Sequence, residues 1–309
     1  MIYELLYVKW DVSPEIFDFG FFQLRWYSLM FVLSFFLGAN IFRKMLKREQ
    51  KPAALWENIL FPVFIGTFLG ARLGHCLFYH PDYFIPHFWE IFIPLKDGKF
   101  VGFEGVASHG AAVGILIGLY YYSRKNKVAY LWTLDRIVIT IALAGFFIRI
   151  GNLMNSEIYG HETTLPWGFI FLRHNETVPK HPTQIYESIC YLAIFIFLYL
   201  LYLKKRPPFR DGVIFSIFLI LLFGARFCIE FLKEVQADFE EKMFLDMGQW
   251  LSIPLIVAGF VLLIFLYKQG LTVELPKPEP VNSKPATITA KPKQPATESR
   301  RRTKRRGSK

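Results

Sequence analysis

Apolar residues in this chain gather into blocks of about 20 positions, separated by stretches rich in charge, proline and glycine. A helix of about 20 residues spans roughly 30 Å, which matches the hydrocarbon core of a bilayer. The pattern predicts an all-α polytopic membrane protein with seven transmembrane helices. The predicted spans are Phe21–Phe42, Ile59–Phe78, Ala107–Tyr122, Leu131–Met154, Tyr186–Leu203, Gly212–Phe231 and Gly248–Tyr267.

Lysine and arginine are concentrated after the first, third and fifth blocks. Positive charge near the ends of spans marks the cytoplasmic side, so we expect a periplasmic amino terminus and a cytoplasmic carboxyl terminus. The two longest outer connections, residues 80–106 and 155–185, are rich in proline and aromatic residues and are expected to form a small periplasmic cap. Met1–Phe19 lacks the apolar core of a cleavable signal. The basic residues are Arg43, Lys44, Lys47, Arg48 and Lys51, then Arg124, Lys125 and Lys127, then Lys204, Lys205, Arg206 and Arg210.

The composition, 53% hydrophobic and 18% aromatic, excludes an ordinary soluble domain. Of the net charge of +11, Pro276–Lys309 carries +9, from 11 basic and 2 acidic residues. We therefore expect a membrane domain over residues 1–270 and a disordered cytoplasmic tail over 271–309. Anionic lipid headgroups are the favoured partner of that tail, ahead of nucleic acid. Cys76, Cys190 and Cys228 are expected to be buried hydrophobic residues.

Arg72, Arg149 and Arg226 each lie within a different predicted span. Each arginine in a span costs roughly 2.5–3.5 kcal/mol on insertion scales, so a partner or a ligand is expected. Arg149 shares a helical face with Asn152 and Asn155, and no acid follows it in the sequence until Glu157, which favours a functional role.

Structural alternatives stay open for the other polar groups in the spans. Arg226 and Glu230 have the spacing of a helical salt bridge. Arg72 lies near an outer end and is able to extend toward the headgroups. His109 opens the third span and is compatible with a satisfied interfacial histidine.

Arginine binds phosphate through two parallel N–H groups, and the phosphates at this depth belong to phospholipids. Paired arginines would stabilise negative charge that grows on a headgroup, and a histidine would accept a proton from an attacking group. The residues alone therefore indicate phosphate-lipid chemistry at the outer face of a membrane. We expect no cofactor and no metal, because the sequence offers no cluster of typical metal ligands.

Motifs over residues 20–270 resemble prolipoprotein diacylglyceryl transferase, a family of bacterial inner-membrane enzymes. Their order and spacing on a seven-span frame make the resemblance specific. The matching segments are Arg25-Trp26-Tyr27, Gly70-Ala71-Arg72-Leu73-Gly74, Ser108-His109-Gly110, Arg149-Ile150-Gly151-Asn152 with Asn155, Glu157 and Gly160, Leu165-Pro166-Trp167-Gly168, His181-Pro182-Thr183-Gln184-Ile185-Tyr186-Glu187, Arg226 with Glu230-Phe231, and Met247-Gly248-Gln249.

The resemblance implies an activity and a set of roles. The family transfers a diacylglyceryl group from phosphatidylglycerol to the lipobox cysteine of a preprolipoprotein and releases glycerol phosphate. By position, Arg149 and Arg226 would engage the phosphate, and His109 would act as a base or as an orienting residue. The residues expected to bind substrate are Tyr27, Arg72, Asn152, Asn155, Glu157, Gly160, Tyr186 and Glu230.

This chain departs from the family pattern at a few positions. Ala111, Ile148 and Ser156 stand where the family commonly has glycine, and Leu222 stands where it often has tyrosine. Two other functions remain open at this point. A transporter or flippase would hold an anionic lipid without forming a bond, and a structural scaffold would keep its function after loss of Arg149.

Overall fold

The computed structural model describes residues 7–19, 23–78, 81–92, 95–96, 99–100, 107–204, 209–234 and 243–272. Within these residues each predicted apolar block contains a long helix, and six of the long helices are long and apolar enough to cross a membrane. The protein is therefore a helical, multi-pass membrane protein. The long helices are α1 (Trp26–Arg48), α2 (Ala54–Phe78), α4 (Ser108–Asn126), α5 (Tyr130–Met154), α6 (Thr183–Lys204), α7 (Val213–Glu230) and α8 (Met247–Lys268), and a short α3 covers Pro81–Phe84.

The predicted start of the first helix at Phe21 is wrong. The helix begins at Trp26, and the residues before it, Gln23–Arg25, form strand β3, which pairs antiparallel with β2 (Glu15–Asp18). The Trp26 N–H donates a hydrogen bond to the carbonyl oxygen of Pro14, so the hairpin delivers the chain into the helix. Apolarity alone does not distinguish a short strand from the first turn of a helix.

Helix α4 is the long helix that is not among the six counted as long and apolar enough to cross a membrane. It has 19 residues, and its glycines face those of α2 across an unusually close contact. A Cβ atom on Gly70 or Gly114 would collide with the backbone of the opposite helix. Small residues four apart on both helices permit this approach of the two backbones. The facing glycines are Gly66, Gly70 and Gly74 of α2 and Gly110 and Gly114 of α4, and one turn further on Gly118 faces the Pro62 carbonyl.

Helix α5 lies at the centre, against α1, α6 and α7. At its amino-terminal end the Asp135 carboxylate accepts hydrogen bonds from the N–H groups of Gly212 (2.8 Å) and Phe215 (2.7 Å), where α7 begins. The neighbouring Arg136 pairs with Glu49 at 3.0 Å, at the end of α1. These polar contacts join the helices at the end opposite to Arg149, which lies in the last turns of α5.

Residues 155–182 form an ordered segment beyond the carboxyl end of α5. Its strand β6 (Phe169–Phe171) pairs in parallel with β1 (Val8–Trp10), and the Trp10 indole N–H donates to the Leu153 carbonyl at 3.0 Å. A third pair of strands, β4 (Leu95–Lys96) and β5 (Lys99–Phe100), is antiparallel. Most of the predicted tail, residues 273–309, and parts of the 80–106 connection lie outside the described residues.

Buried Lys180 fixes this segment to the end of α7. Its ammonium contacts Glu234 and lies 3.7 Å from Glu176. Burial by itself would lower the pKa of Lys180, but the hydrogen bond to Glu234 and the charges of the surrounding carboxylates outweigh it, so this pKa lies above its usual value. The Tyr159 hydroxyl donates to Glu176 at 3.0 Å, and burial, with this carboxylate, raises the pKa of Tyr159 to about 12.

Candidate functional site

Arg149 lies near the carboxyl end of α5 and is held from two directions. Its Nε lies 2.7 Å from Oε2 of Glu187 on α6, and its Nη1 donates to the Asn152 amide oxygen at 3.1 Å. The N–H of Nε is not aligned with Oε2, which accepts no well-directed hydrogen bond. Glu187 is completely buried, so this contact is ionic and shielded from water.

A second cation, Lys233, completes the neutralisation of Glu187. The Lys233 ammonium lies 3.1 Å from Oε1 of Glu187 and 2.9 Å from Oε2 of Glu230, and only 3% of its side chain is exposed. The Tyr191 hydroxyl also donates to Glu187, at 3.2 Å. Arg149, Glu187, Lys233 and Glu230 thus form a charge chain in which the two cations balance the two carboxylates. We refer to these four residues as the charge chain.

Arg226 stands beside the charge chain, and no carboxylate of the part of the chain that the structure describes pairs with it. The helical salt bridge with Glu230 that its spacing allowed is not formed, because Glu230 pairs with Lys233. Among the described residues no carboxylate oxygen lies within 4 Å of the Arg226 guanidinium. Both Arg149 and Arg226 act electrostatically on Glu187, so the two guanidinium groups share one electrostatic environment.

His109 is the second residue of α4, and its side chain is exposed. The charges of Arg226 and Glu230 both act on its ring, which places all three residues at one end of the helix bundle. His109 and Arg226 therefore lie near each other, and their membership of a common site stays a prediction.

Tyr27 and the residues after α5 surround Arg149 on its other side. The Tyr27 ring packs on Gly151, where an added Cβ atom would lie 2.9 Å from Cδ2 of the ring. Glu157 and Arg149 both act electrostatically on the Tyr27 hydroxyl. The Glu157 carboxylate accepts hydrogen bonds from Asn152 at 2.7 Å and from Asn155 at 3.3 Å. Tyr27, Asn152, Asn155 and Glu157 are thus brought together around Arg149.

Gly160 supports the site through the main chain. The Gly160 N–H donates to the His181 carbonyl at 2.8 Å. The Gly160 backbone also pairs with that of Lys233 in an isolated antiparallel β-bridge. A Cβ atom at Gly160 would collide with the Leu232 carbonyl oxygen and lie 2.8 Å from Cγ2 of Thr183. Glycine at this position therefore permits the close backbone approach that places Lys233.

Tyr186 lies in the first turn of α6, and its hydrogen bonds are to residues outside the charge chain. Its hydroxyl accepts a hydrogen bond from the Trp167 indole at 2.8 Å and lies 3.2 Å from Nδ1 of His181. Burial, together with the charge of His161, lowers the pKa of His181. Tyr186 thus joins α6 to the 155–182 segment.

Arg72 is engaged by the other outer connection. It is 7% exposed, and it donates to the carbonyl oxygens of Ile91 and Glu90, each at 3.2 Å. Its guanidinium also lies 5.1 Å from the centroid of the Phe84 ring. These contacts anchor residues 81–92 on α2, and the expected role of Arg72 in substrate binding stays a prediction.

Sequence reasoning missed two members of the charge chain. Glu187 was part of a matching motif but received no role, although an acid at the start of an apolar span is itself a signal. Lys233 lies beyond the predicted end of the sixth span, three residues after Glu230, and only the packing of α6 against α7 brings it to Glu187. Among the described residues no group of three or more His, Cys, Asp or Glu side chains is arranged to hold a metal ion.

Comparison with known proteins identifies the family of the chain. The family model described as prolipoprotein diacylglyceryl transferase matches residues 14–265. A relative from Chloroherpeton thalassium, named phosphatidylglycerol–prolipoprotein diacylglyceryl transferase, is 44% identical over 265 residues, covering 85% of this chain and 96% of its own length. Relatives of the same name from Porphyromonas gingivalis and Bacteroides fragilis are 41% and 39% identical, over 284 and 270 residues, covering 87% and 86% of this chain and 98% and 97% of their own.

The range that the family model matches, residues 14–265, spans nearly all of the described helices, and the four residues of the charge chain lie within it. The chain belongs to the prolipoprotein diacylglyceryl transferase family.

Proposed function

We propose that this protein transfers the diacylglyceryl group of phosphatidylglycerol to the lipobox cysteine thiol of preprolipoproteins. The thiol sulfur attacks the glyceryl carbon that carries the phosphate, a carbon–sulfur bond forms and the carbon–oxygen bond breaks. The products are a thioether and glycerol phosphate, and the thiol proton is released. The observation that carries the proposal is Arg226, a guanidinium without a carboxylate partner among the described residues, beside the charge chain of a protein in this family.

The two arginines have different surroundings and therefore different proposed roles. Arg149 is oriented by Glu187 and Asn152, so its position is fixed before a lipid binds. Arg226 has all of its charge available for an anion. A phosphodiester that becomes a phosphomonoester gains negative charge as it leaves, and preformed cations stabilise that charge without reorganising. Arg226 and Arg149 are the proposed phosphate-engaging residues.

His109 is proposed to act on the thiol. An unperturbed thiol has a pKa of about 8.5, so only a small fraction is thiolate at neutral pH. An imidazole at the exposed start of α4 is able to accept the thiol proton or to orient the attacking sulfur. Tyr27, Asn152, Asn155, Glu157 and Glu230 are proposed to hold the substrate, and Gly160 to keep the backbone in place. For Arg72 and Tyr186 we propose an indirect role in binding, through the two outer segments.

We further propose that the protein has seven membrane spans, namely the six apolar helices and α4, which is the third in sequence order. Its close antiparallel packing along the glycines of α2 supports a crossing, because a helix that follows a span for several turns crosses with it. In the proposed orientation the positively charged connections and the carboxyl terminus lie in the cytoplasm, and the amino terminus and the site face the periplasm, as the charge distribution favours. The membrane is proposed to be the bacterial cytoplasmic membrane. Residues 1–270 would be the catalytic domain, and the basic tail would contact anionic headgroups.

The test is a product assay. The purified protein is incubated with phosphatidylglycerol labelled in its headgroup glycerol and with a peptide that contains a lipobox cysteine. We expect a thioether-linked diacylglyceryl peptide and glycerol phosphate in equal amounts. A peptide with serine in place of the cysteine is the control and should yield neither. Intact lipid and peptide after incubation with folded protein would refute the transfer and leave lipid translocation as the alternative.

A further inference from the structure

A crevice opens between α1 and α2 far from the charge chain. Its volume is about 260 Å³. Four of its lining residues follow the spacing of one helical face on α1, and two come from the start of α2. Arg43 is 16 residues beyond Tyr27, or about 24 Å along the helix axis, so the crevice lies near the opposite membrane interface. The lining residues are Phe36, Ala39, Asn40, Arg43, Trp56 and Leu60.

The crevice exists because its two walls pack on different neighbours. Helix α1 packs along α5 and helix α2 along α4, while α1 and α2 touch each other little. Toward the middle of the helices the Phe35 and Phe64 rings meet edge to face, with centroids 6.1 Å apart. The walls themselves are apolar and open, since Phe36 is 64% exposed and Leu60 is 37% exposed. In a membrane such a surface contacts acyl chains.

The guanidinium of Arg43 lies at the open end of the crevice and is held there by the Trp56 ring. The Arg43 guanidinium lies 5.2 Å from the centroid of the Trp56 ring. Stacking on an aromatic face leaves the in-plane N–H groups of a guanidinium available, in the geometry that suits a phosphate. Among the described residues no carboxylate lies within 4 Å of Arg43. Arginine and tryptophan at the end of a span also mark the depth of lipid headgroups.

The surroundings favour an anion. Residues 43–51 carry five basic residues and one acid, Glu49. That acid is already paired with Arg136 at 3.0 Å. On α2 the adjacent acid is Glu57, which follows Trp56 by one residue and so points to a different side of the helix.

We propose that this crevice binds an anionic phospholipid of the leaflet opposite to the charge chain. The phosphate lies on the N–H groups of Arg43, the headgroup region packs beside Trp56, and one acyl chain lies against Phe36 and Leu60. A lipid fits better than a free phosphate ion, because an ion would leave the apolar walls uncovered. This lipid is bound without reaction, since it lies a helix length from the site.

Quenching of tryptophan fluorescence tests the proposal locally. The full chain is placed in phosphatidylcholine nanodiscs that contain a small fraction of phosphatidylglycerol with brominated acyl chains. The contribution of Trp56 is the difference between the protein and its Trp56→Phe variant. We expect brominated phosphatidylglycerol to quench Trp56 several-fold more than brominated phosphatidylcholine at the same fraction. Equal quenching by the two lipids would overturn the proposal.

Two charge variants distinguish a specific lipid-binding site from non-specific electrostatic attraction to the membrane. Arg43→Gln should remove the preference for phosphatidylglycerol, whereas Lys44→Gln, which loses the same charge at a residue outside the crevice, should keep it. Equal loss in both variants would show a diffuse attraction only and would refute the site. Native mass spectrometry gives a second measurement that does not require Trp56→Phe to fold. After delipidation, Arg43→Gln should retain one phosphatidylglycerol fewer than the Lys44→Gln variant, and equal retention would contradict the proposal.

Discussion

Lys233 and Arg149 lie on opposite sides of a single carboxylate. The Lys233 ammonium is 3.1 Å from Oε1 of Glu187, and Nε of Arg149 is 2.7 Å from Oε2 of the same residue. A lysine in the chain after α7 therefore influences an arginine on α5 through an acid on α6. The orientation of the proposed phosphate-engaging Arg149 therefore depends on α5, on α6 and on the segment that follows α7.

Replacement of Lys233 by methionine should destabilise the protein and abolish most activity. It would leave Glu187 and Glu230 buried with one cation fewer, and breaking such a buried pair typically costs about 3–5 kcal/mol. Chemical unfolding in detergent measures the first effect and the product assay the second. Adding Glu230→Gln to Lys233→Met should recover part of the stability, because it removes the excess negative charge. If the double variant were less stable than Lys233→Met, the charge balance described here would be wrong.

Arg226→Lys should keep the stability and lose activity. No described carboxylate pairs directly with Arg226, and lysine keeps the positive charge, so the free energy of unfolding should change little, by less than about 1 kcal/mol. A lysine lacks the two-point geometry for phosphate, and removing one preorganised donor of this kind lowers turnover by about 100-fold to 1,000-fold. Steady-state rates with phosphatidylglycerol measure the loss. Arg124→Lys, at the far end of α4, is the matched control, and near-normal turnover in Arg226→Lys would argue against phosphate binding.

Ser156→Gly should stabilise the protein. Ser156 has a φ of 57°, in the left-handed region that glycine adopts without a steric penalty, and its side chain is fully buried with an unpartnered hydroxyl. We expect a gain of about 1 kcal/mol in the free energy of unfolding. Ser156→Ala is the informative comparison, because it removes the hydroxyl and keeps the backbone strain. A larger gain from alanine than from glycine would show that the strain is unimportant.

Gly160→Ala should be strongly damaging, since its Cβ atom would meet the Leu232 carbonyl and displace Lys233. Overpacking of this kind costs about 1–3 kcal/mol and should be accompanied by loss of transfer. Gly224→Ala on α7 is the control, because nothing lies within 4 Å of the added methyl group there. That change should be neutral or stabilise the helix by up to about 1 kcal/mol. Similar unfolding midpoints for the two variants would contradict the proposed role of Gly160.

The stability of the protein should decline in mild acid partly because of His181. Burial, with the charge of His161, lowers the folded-state pKa of His181 below the unfolded value of about 6.5. As the pH falls, the unfolded chain therefore binds this proton first. The contribution of His181 is complete above about pH 6.5 and is lost as the pH falls through the folded pKa. Unfolding midpoints between pH 7.5 and pH 5 should fall less in His181→Gln than in the wild type, and parallel curves would exclude this contribution.

Several features follow directly from the sequence, because they depend on local periodicity. Each apolar block contains a long helix, since a run of about 20 apolar residues has to satisfy its backbone internally in a membrane. The family resemblance grouped Tyr27, Asn152, Asn155 and Glu157 with Arg149, and the structure brings these side chains close together, while their role in substrate binding stays a prediction. At Ser156 the departure from glycine falls where the backbone adopts a positive φ.

The partners of the buried charges were decided only by the tertiary structure. The spacing of Arg226 and Glu230 permits a pair, yet Glu230 binds Lys233, because the chain turns after α7 and brings Lys233 between two carboxylates. Arg72 likewise anchors the segment 81–92 through carbonyl oxygens that no side-chain pattern reveals. A charge in a low-dielectric interior pairs with the group that folding places nearest, and that distance is set by how helices far apart in sequence pack.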